Sequence, residues 1–247
     1  MTLDAPVKDI LFIRKYPKSF EKNSNLKKRL QSIISSRGTT THYAGHDITF
    51  FFVGCGKKIR LPHPTIIKKL NSGKITDIVD IGGGGALNPK LKRGDLILSC
   101  GDIPSDTLKP LKVKRREEIR NTVHALAKKE KRHLFEEKIL TSTKLIASKK
   151  ERIALYEQTR CSIVQMEHCW FLRALQEAME SDSFNELYIA HMEIVSDVVL
   201  QNDTVINKAL ELFHGLNYCV LRNQHYLGKI KSEFLKLWLN NGAVYDD

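Results

Sequence analysis

Along the chain, short apolar runs of strand length alternate with longer stretches whose apolar residues recur every three or four positions. Strands are expected at "DILFI" (9–13), "ITFFFVG" (48–54), "ITDIVDIG" (75–82), "DLILSCGD" (95–102), "CSIVQM" (161–166) and "ELYIAHMEIVSD" (186–197). "EEKILTSTKLIAS" (136–148) reads as a strand and turn. Helices are expected at 23–36, at 63–73 with Pro64 near the start and Gly73 at the C-terminal cap, across the basic stretch 109–133, near 149–158, and from 167 to 181. In the last of these, Phe171, Ala174, Leu175 and Ala178 fall at i, i+3, i+4 and i+7. A closing helical region begins with "TVINKALELFHGLNYCVLRNQ". Strands alternating with helices imply an α/β fold with a largely parallel sheet. No repeat or linker interrupts the 247 residues, so one domain, 1–247, is the simplest organisation.

Composition narrows the class. An apolar fraction of 42% with 28% charged residues is ordinary for a globular protein. No apolar segment approaches the roughly 20 residues that cross a bilayer, and the first residues lack a basic start followed by an apolar run, so a cytoplasmic protein is expected. Five scattered cysteines without a C-x-x-C pair suggest neither a disulfide framework nor a zinc site. His42 and His46 have helical ligand spacing, but Gly45 between them argues for a turn, so no metal and no cofactor is expected. The formal net charge of +12 would suit an anionic partner. In 109–133, however, Glu117, Glu118 and Glu130 interrupt the basic residues on an amphipathic pattern, as on a solvated helix face, and no nucleic-acid motif accompanies them.

The chemistry centres on four consecutive glycines, Gly82 to Gly85, after a strand. No Gly-Lys-Ser/Thr of a P-loop occurs, and a dinucleotide fingerprint from Gly82 would need glycine where Leu87 stands. The glycines suit either a tight strand-to-strand connection or a backbone nest that meets a ligand through its N–H groups. The whole stretch "DIVDIGGGGALNPKLKRGDLILS" resembles a signature of the nucleoside phosphorylase superfamily, most closely its methylthioadenosine/S-adenosylhomocysteine nucleosidase branch. "SIVQMEHCWF" resembles that family's Met-Glu motif, and "YIAHMEIVSDVV" its strand ending in Ser-Asp, both in the family's order.

The resemblance implies a three-layer αβα sandwich around a twisted mixed sheet, commonly a homodimer, that cleaves the N-glycosidic bond of purine nucleosides. It also implies roles. Gly83, Gly84 and Gly85 would lie against the sugar or an anion. Glu167 would accept hydrogen bonds from ribose hydroxyls, as suits an acceptor-only carboxylate, with Met166 packed on the sugar. Asp197, beside Ser196, would serve the purine as it leaves. Leu145 and Ile146 fall where the family sets an apolar pair against the base. Each has a plainer reading: Glu167 as a helix-start glutamate, Ser196 and Asp197 as caps, Leu145 and Ile146 as core.

Three departures from the family pattern bear on activity. Gly83 stands where a serine often faces the anion, which favours hydrolysis over phosphorolysis. No glutamate directly follows the first strand to activate water; the nearest is Glu21. Glu193 stands where an arginine is usual. The expectation is a nucleosidase-like hydrolase for methylthioadenosine, S-adenosylhomocysteine or a variant such as futalosine. The alternatives are a degenerate member that binds without turnover and a purine nucleoside phosphorylase. A role with nucleic acid is the remotest.

Overall fold

A computed structural model describes residues 10–14, 39–43, 46–52, 54–55, 58–59, 61–146, 148–198, 229–230 and 233–238. The expected helices at 23–36 and 204–224, and Glu21, lie outside the described residues.

Among the described residues, besides helical residues at 229–230 and 233–238, the elements are β1 (Ile10–Arg14), β2 (Thr39–Tyr43), β3 (His46–Phe52), β4 (Gly54–Cys55), β5 (Lys58–Ile59), α1 (Pro64–Asn71), β6 (Asp77–Ala86), β7 (Leu96–Pro104), α2 (Glu117–Lys129), β8 (Leu134–Thr141), α3 (Lys149–Thr159), β9 (Ile163–Gln165), α4 (His168–Ala178), α5 (Ser181–Asn185) and β10 (Tyr188–Asp197). Pro64 opens α1, and Gly73 at φ +65° lies just past its C-cap, as the pattern predicted. β2 was not anticipated: "TTTHY" lacks alternating apolar residues. It pairs antiparallel with β3, so His42 and His46 sit on facing strands rather than on one helix face.

The architecture is mixed α/β. Eight strands form one sheet, and five of them, β6, β10, β7, β8 and β9, close into a ring because β6 also pairs with β10. β6 and β10 run parallel, as do β7, β8 and β9; the two sets meet antiparallel at β10–β7 and β6–β9. β1, β3 and β2 extend the sheet beyond β6.

Period-two burial gives the sheet two apolar faces. Val79, Ile81, Ala190 and Met192 pack with Val123 and Leu126 of α2 and with Phe234 and Trp238. Ile78, Phe51 and Ile189 pack with Ile66 and Leu70 of α1 and with Phe171, Leu172 and Leu175 of α4. Of the stripe read from α4, Phe171 and Leu175 lie on the buried face, whereas Ala174 is half-buried and Ala178 is exposed; Leu172 completes that face instead.

Candidate active site

The four glycines lie inside β6, with backbone extended and paired, and not in a loop. This corrects the expectation of a turn or nest. The physical reason is close approach. A Cβ on Gly84 would stand 2.8 Å from the Val164 carbonyl oxygen and 3.0 Å from the Ile163 side chain, so β9 can cross β6 only over a glycine. A Cβ on Gly85 would meet Arg152 and Asp197 at 3.2 Å. Gly83 is under no such constraint; its nearest neighbour would be Ser196 Cβ at 3.7 Å.

One edge of β6 is divided. β1 occupies it from Asp77 to Asp80, and β9 occupies it at Gly85 and Ala86. Between these, no strand pairs with Ile81–Gly84 on that edge among the described residues, and Gly83 is exposed. The opposite edge is filled by β10, with Gly83 opposite Ile194 and Gly85 opposite Asp197 across a register shift.

β10 ends in Ser196 and Asp197. The Ser196 hydroxyl lies 3.0 Å from the Gly84 carbonyl oxygen and 2.8 Å from Asp197 Oδ1, and can donate to either. The half-buried Asp197 carboxylate also accepts from the Arg152 guanidinium, which is buried and further tied to the Ile146 carbonyl at 2.9 Å. Neither Ser196 nor Asp197 caps a described helix. Arg152 was missed by sequence reading: α3 has no clear apolar stripe, so nothing in the pattern shows that its arginine turns inward.

On the other side, β9 delivers Met166 and Glu167 directly after Gln165. Glu167 is buried, whereas Met166 is half-buried. Glu167 holds the N-cap position of α4, yet the capping is done by Gln165, whose side-chain oxygen accepts from the Glu167 N–H at 2.6 Å and the His168 N–H at 3.1 Å. Glu167 thus stands at the helix start, as its plainer reading has it, without itself supplying the cap. Leu145 and Ile146 are separated: Leu145 is 70% exposed, and Ile146 packs in the core with Leu140 and Val164. They form no common apolar wall, because adjacent residues of an extended turn face opposite ways.

Beneath the glycine run lies a polar cluster that sequence reading touched only at Glu193. Asp80 on β6, Asp102 on β7, His168 on α4, and His191 and Glu193 on β10 are all at most 1% exposed. His168 Nδ1 meets Asp80 Oδ2 at 2.8 Å; His191 meets Asp102 through Nδ1 at 2.7 Å and Glu193 through Nε2 at 2.8 Å. The two imidazoles stack, with centroids 3.8 Å apart and planes 13° from parallel. Ser99 donates to Asp102 at 2.7 Å, and Arg115 reaches its other oxygen at 3.2 Å. Burial drives the His168 pKa below the ordinary imidazole value, with the neighbouring His191 adding to it. Burial alone would raise Asp102, but the two histidines and the Ser99 hydroxyl outweigh it and hold that carboxyl below the usual range. Asp80, His168 and His191 each bring one donor atom within 4.8 Å of the others. The available signal was a charged or imidazole residue in the middle of an apolar strand, which is the informative kind of burial. A cavity of about 240 Å³, lined in part by Ser99, Arg115 and Arg120, reaches His191 from the α2 side.

The backbone has the fold of the purine nucleosidases. It is similar to the methylthioadenosine/S-adenosylhomocysteine nucleosidase of Helicobacter pylori, with a TM-score of 0.59 at 11% identity, covering 92% of this chain and 99% of that one. The corresponding nucleosidase of Campylobacter jejuni aligns at TM-score 0.55 and 15% identity, covering 91% and 98%. The futalosine hydrolase of Helicobacter pylori aligns at 0.59 and 13%, covering 95% and 98%. No protein-family model matches the sequence, and no curated protein matches it either. Among the described residues no helix is long and apolar enough to cross a membrane.

Proposed function

We propose that the protein is a nucleosidase-type hydrolase that cleaves the N-glycosidic bond of a purine nucleoside. The observation that carries this is the edge of β6 at Ile81–Gly84, which no strand covers among the described residues, with Glu167 following β9 on one side and Ser196–Asp197 ending β10 on the other. In this reading the sugar lies along Gly83, Gly84 and Gly85. Glu167 accepts from its hydroxyls, and Met166 packs on it. Asp197 meets the departing base while Arg152 and Ser196 hold its orientation. Cleavage builds positive charge on the sugar, and a buried carboxylate beside it stabilises that charge more strongly than a solvated one. The neighbours support the substrate class: a point mutant of the Helicobacter pylori nucleosidase holds 5′-methylthioadenosine in its active site.

The same reading includes one domain over 1–247, a homodimer in the cytoplasm, and helices layered on both faces of the sheet. The separate packing of α2 and of α1 with α4 on opposite faces supports the layering.

One observation favours a second reading, a protein that binds a nucleoside without turning it over: the Asp197 carboxylate is already engaged by Arg152. The test is incubation with methylthioadenosine, S-adenosylhomocysteine, inosine and futalosine, with and without phosphate, followed by chromatography for free base. Phosphate-independent release is expected, and both Glu167→Gln and Asp197→Asn should lower it at least about a hundredfold. Phosphate-dependent release would make the protein a phosphorylase. Measurable nucleoside binding with no release from any substrate establishes the second reading.

A further inference from the structure

We infer that Asp80, His168, His191 and Glu193 form a closed zinc site in the core, with Asp102 as its outer carboxylate. Asp80, His168 and His191 each bring one donor atom within 4.8 Å of the others, and Glu193 Oε1 adjoins His191 Nε2. Their recorded separations are 2.8 Å for His168–Asp80, 4.0 Å for His191–Asp80 and 2.8 Å for His191–Glu193. In a tetrahedral zinc site, with bonds of about 2.0–2.2 Å, ligand atoms stand about 3.3–3.5 Å apart. The three recorded pairs straddle that range and need to move by well under 1 Å, whereas Glu193, outside the group that meets within 4.8 Å, has further to travel to become the fourth ligand. Two imidazole nitrogens and two carboxylate oxygens are a donor set that suits zinc and not magnesium or calcium, which take oxygen alone.

The hydrogen bonds recorded around the two rings suit a cation on His168 Nδ1 and His191 Nε2. His191 faces a carboxylate oxygen from each ring nitrogen, but a neutral imidazole has one N–H to donate. His168 gives its Nδ1 side to Asp80, while its Nε2, fully buried, has no hydrogen-bond partner among the described residues and stands 3.7 Å from Asp102 Oδ2. With Nδ1 protonated, that Nε2 is an acceptor facing an acceptor. A second proton on His191 would satisfy His191 alone. One divalent cation on His168 Nδ1 and His191 Nε2 satisfies both rings, because each then carries its proton on the nitrogen that looks toward Asp102. Asp102 is held for that task by Ser99 and Arg115, and a carboxylate receiving the outer N–H is the usual companion of a metal-bound histidine. A lone pair lies in its own ring plane, so the 13° stack must splay as the ion enters. The ligands come from β6, α4 and β10, so the ion would tie the glycine strand to the helix that follows Glu167.

The full chain, without a histidine tag, is purified from zinc-supplemented culture, and metal content is measured by plasma mass spectrometry. One zinc per chain is expected, and its removal by a strong chelator should lower the melting temperature by several degrees. Cobalt(II) substitution should produce the intense visible bands of tetrahedral coordination. His168→Asn combined with His191→Asn should lose the metal, and the surface change His63→Asn should keep it. Zinc that stays on the double variant, weak octahedral cobalt bands, or a folded wild-type protein that takes up no zinc overturns the inference. Should the double variant not fold, the wild-type stoichiometry and cobalt spectrum decide.

Discussion

Gly83 and Gly84 are neighbours with opposite tolerances. Alanine at Gly84 forces its methyl into the Val164 carbonyl at 2.8 Å, and overpacking of this kind costs about 1–3 kcal/mol. At Gly83 the same methyl meets nothing closer than 3.7 Å, so the change should stay within about 0.5 kcal/mol in stability. Urea titration of the two variants checks the contrast; equal losses would contradict it. Asp77 supplies a second case. Its carboxylate receives Arg116 through two contacts, at 2.6 and 3.2 Å, while Arg116 also stacks on Tyr188 at 3.7 Å. Burial nevertheless raises the Asp77 pKa above the ordinary value, outweighing the guanidinium. A raised carboxyl pKa means that the folded state holds its proton longer than the unfolded chain. The stability this adds is therefore complete below the unfolded pKa, about 3.9, and is lost as pH climbs through the folded one. Asp77→Asn should remove that falling segment from the stability–pH curve. Asp77→Ala, which takes the carboxylate from a buried guanidinium, should cost about 3–5 kcal/mol.

At the scale of elements, the helical residues 233–238 cover the face of the sheet opposite α4. Phe234 and Trp238 are buried against Ile119, Val123 and Leu126 of α2, and Lys129–Glu233 and Lys229–Glu130 ion pairs flank them. Lys129, then Lys236, lower the Glu233 pKa to about 2, but this group is half-buried at the rim of the helix and the packing dominates. Phe234→Ala should cost about 3–5 kcal/mol, measured by denaturant titration. Most of these elements were legible in the chain. Apolar runs announce β6, β7 and β10, and a 3.6-residue stripe announces α4. β2 was illegible because a threonine-rich strand has no apolar alternation. The ends of the candidate site, Glu167, Ser196 and Asp197, were readable from local motifs. Arg152 and the buried histidines were not, since what gives them partners is β6–β10 pairing and the seating of α4, which no local spacing encodes. The glycines were recognised, but their place inside a strand was not: a run without side chains signals close approach, and the chain alone does not say what approaches.

Across the whole molecule, the fold matches nucleosidases over more than nine-tenths of its length at 11–15% identity. Two sheet faces with continuous apolar packing can be satisfied by many side-chain sets of the right volume, so topology outlasts sequence while the buried polar cluster need not be shared. Five strands closed in a ring have a further effect. The edge strand of an open sheet can peel away by breaking one ladder, but β10 and β8 each hold a neighbour on both sides, and releasing either opens two ladders at once. β2, whose described pairing is to β3 alone, lacks that bracing. Amide protons of Ile189–Ile194 should thus exchange with deuterium only through near-global opening, whereas those of Thr39–Tyr43 should exchange through shallow fraying, orders of magnitude sooner.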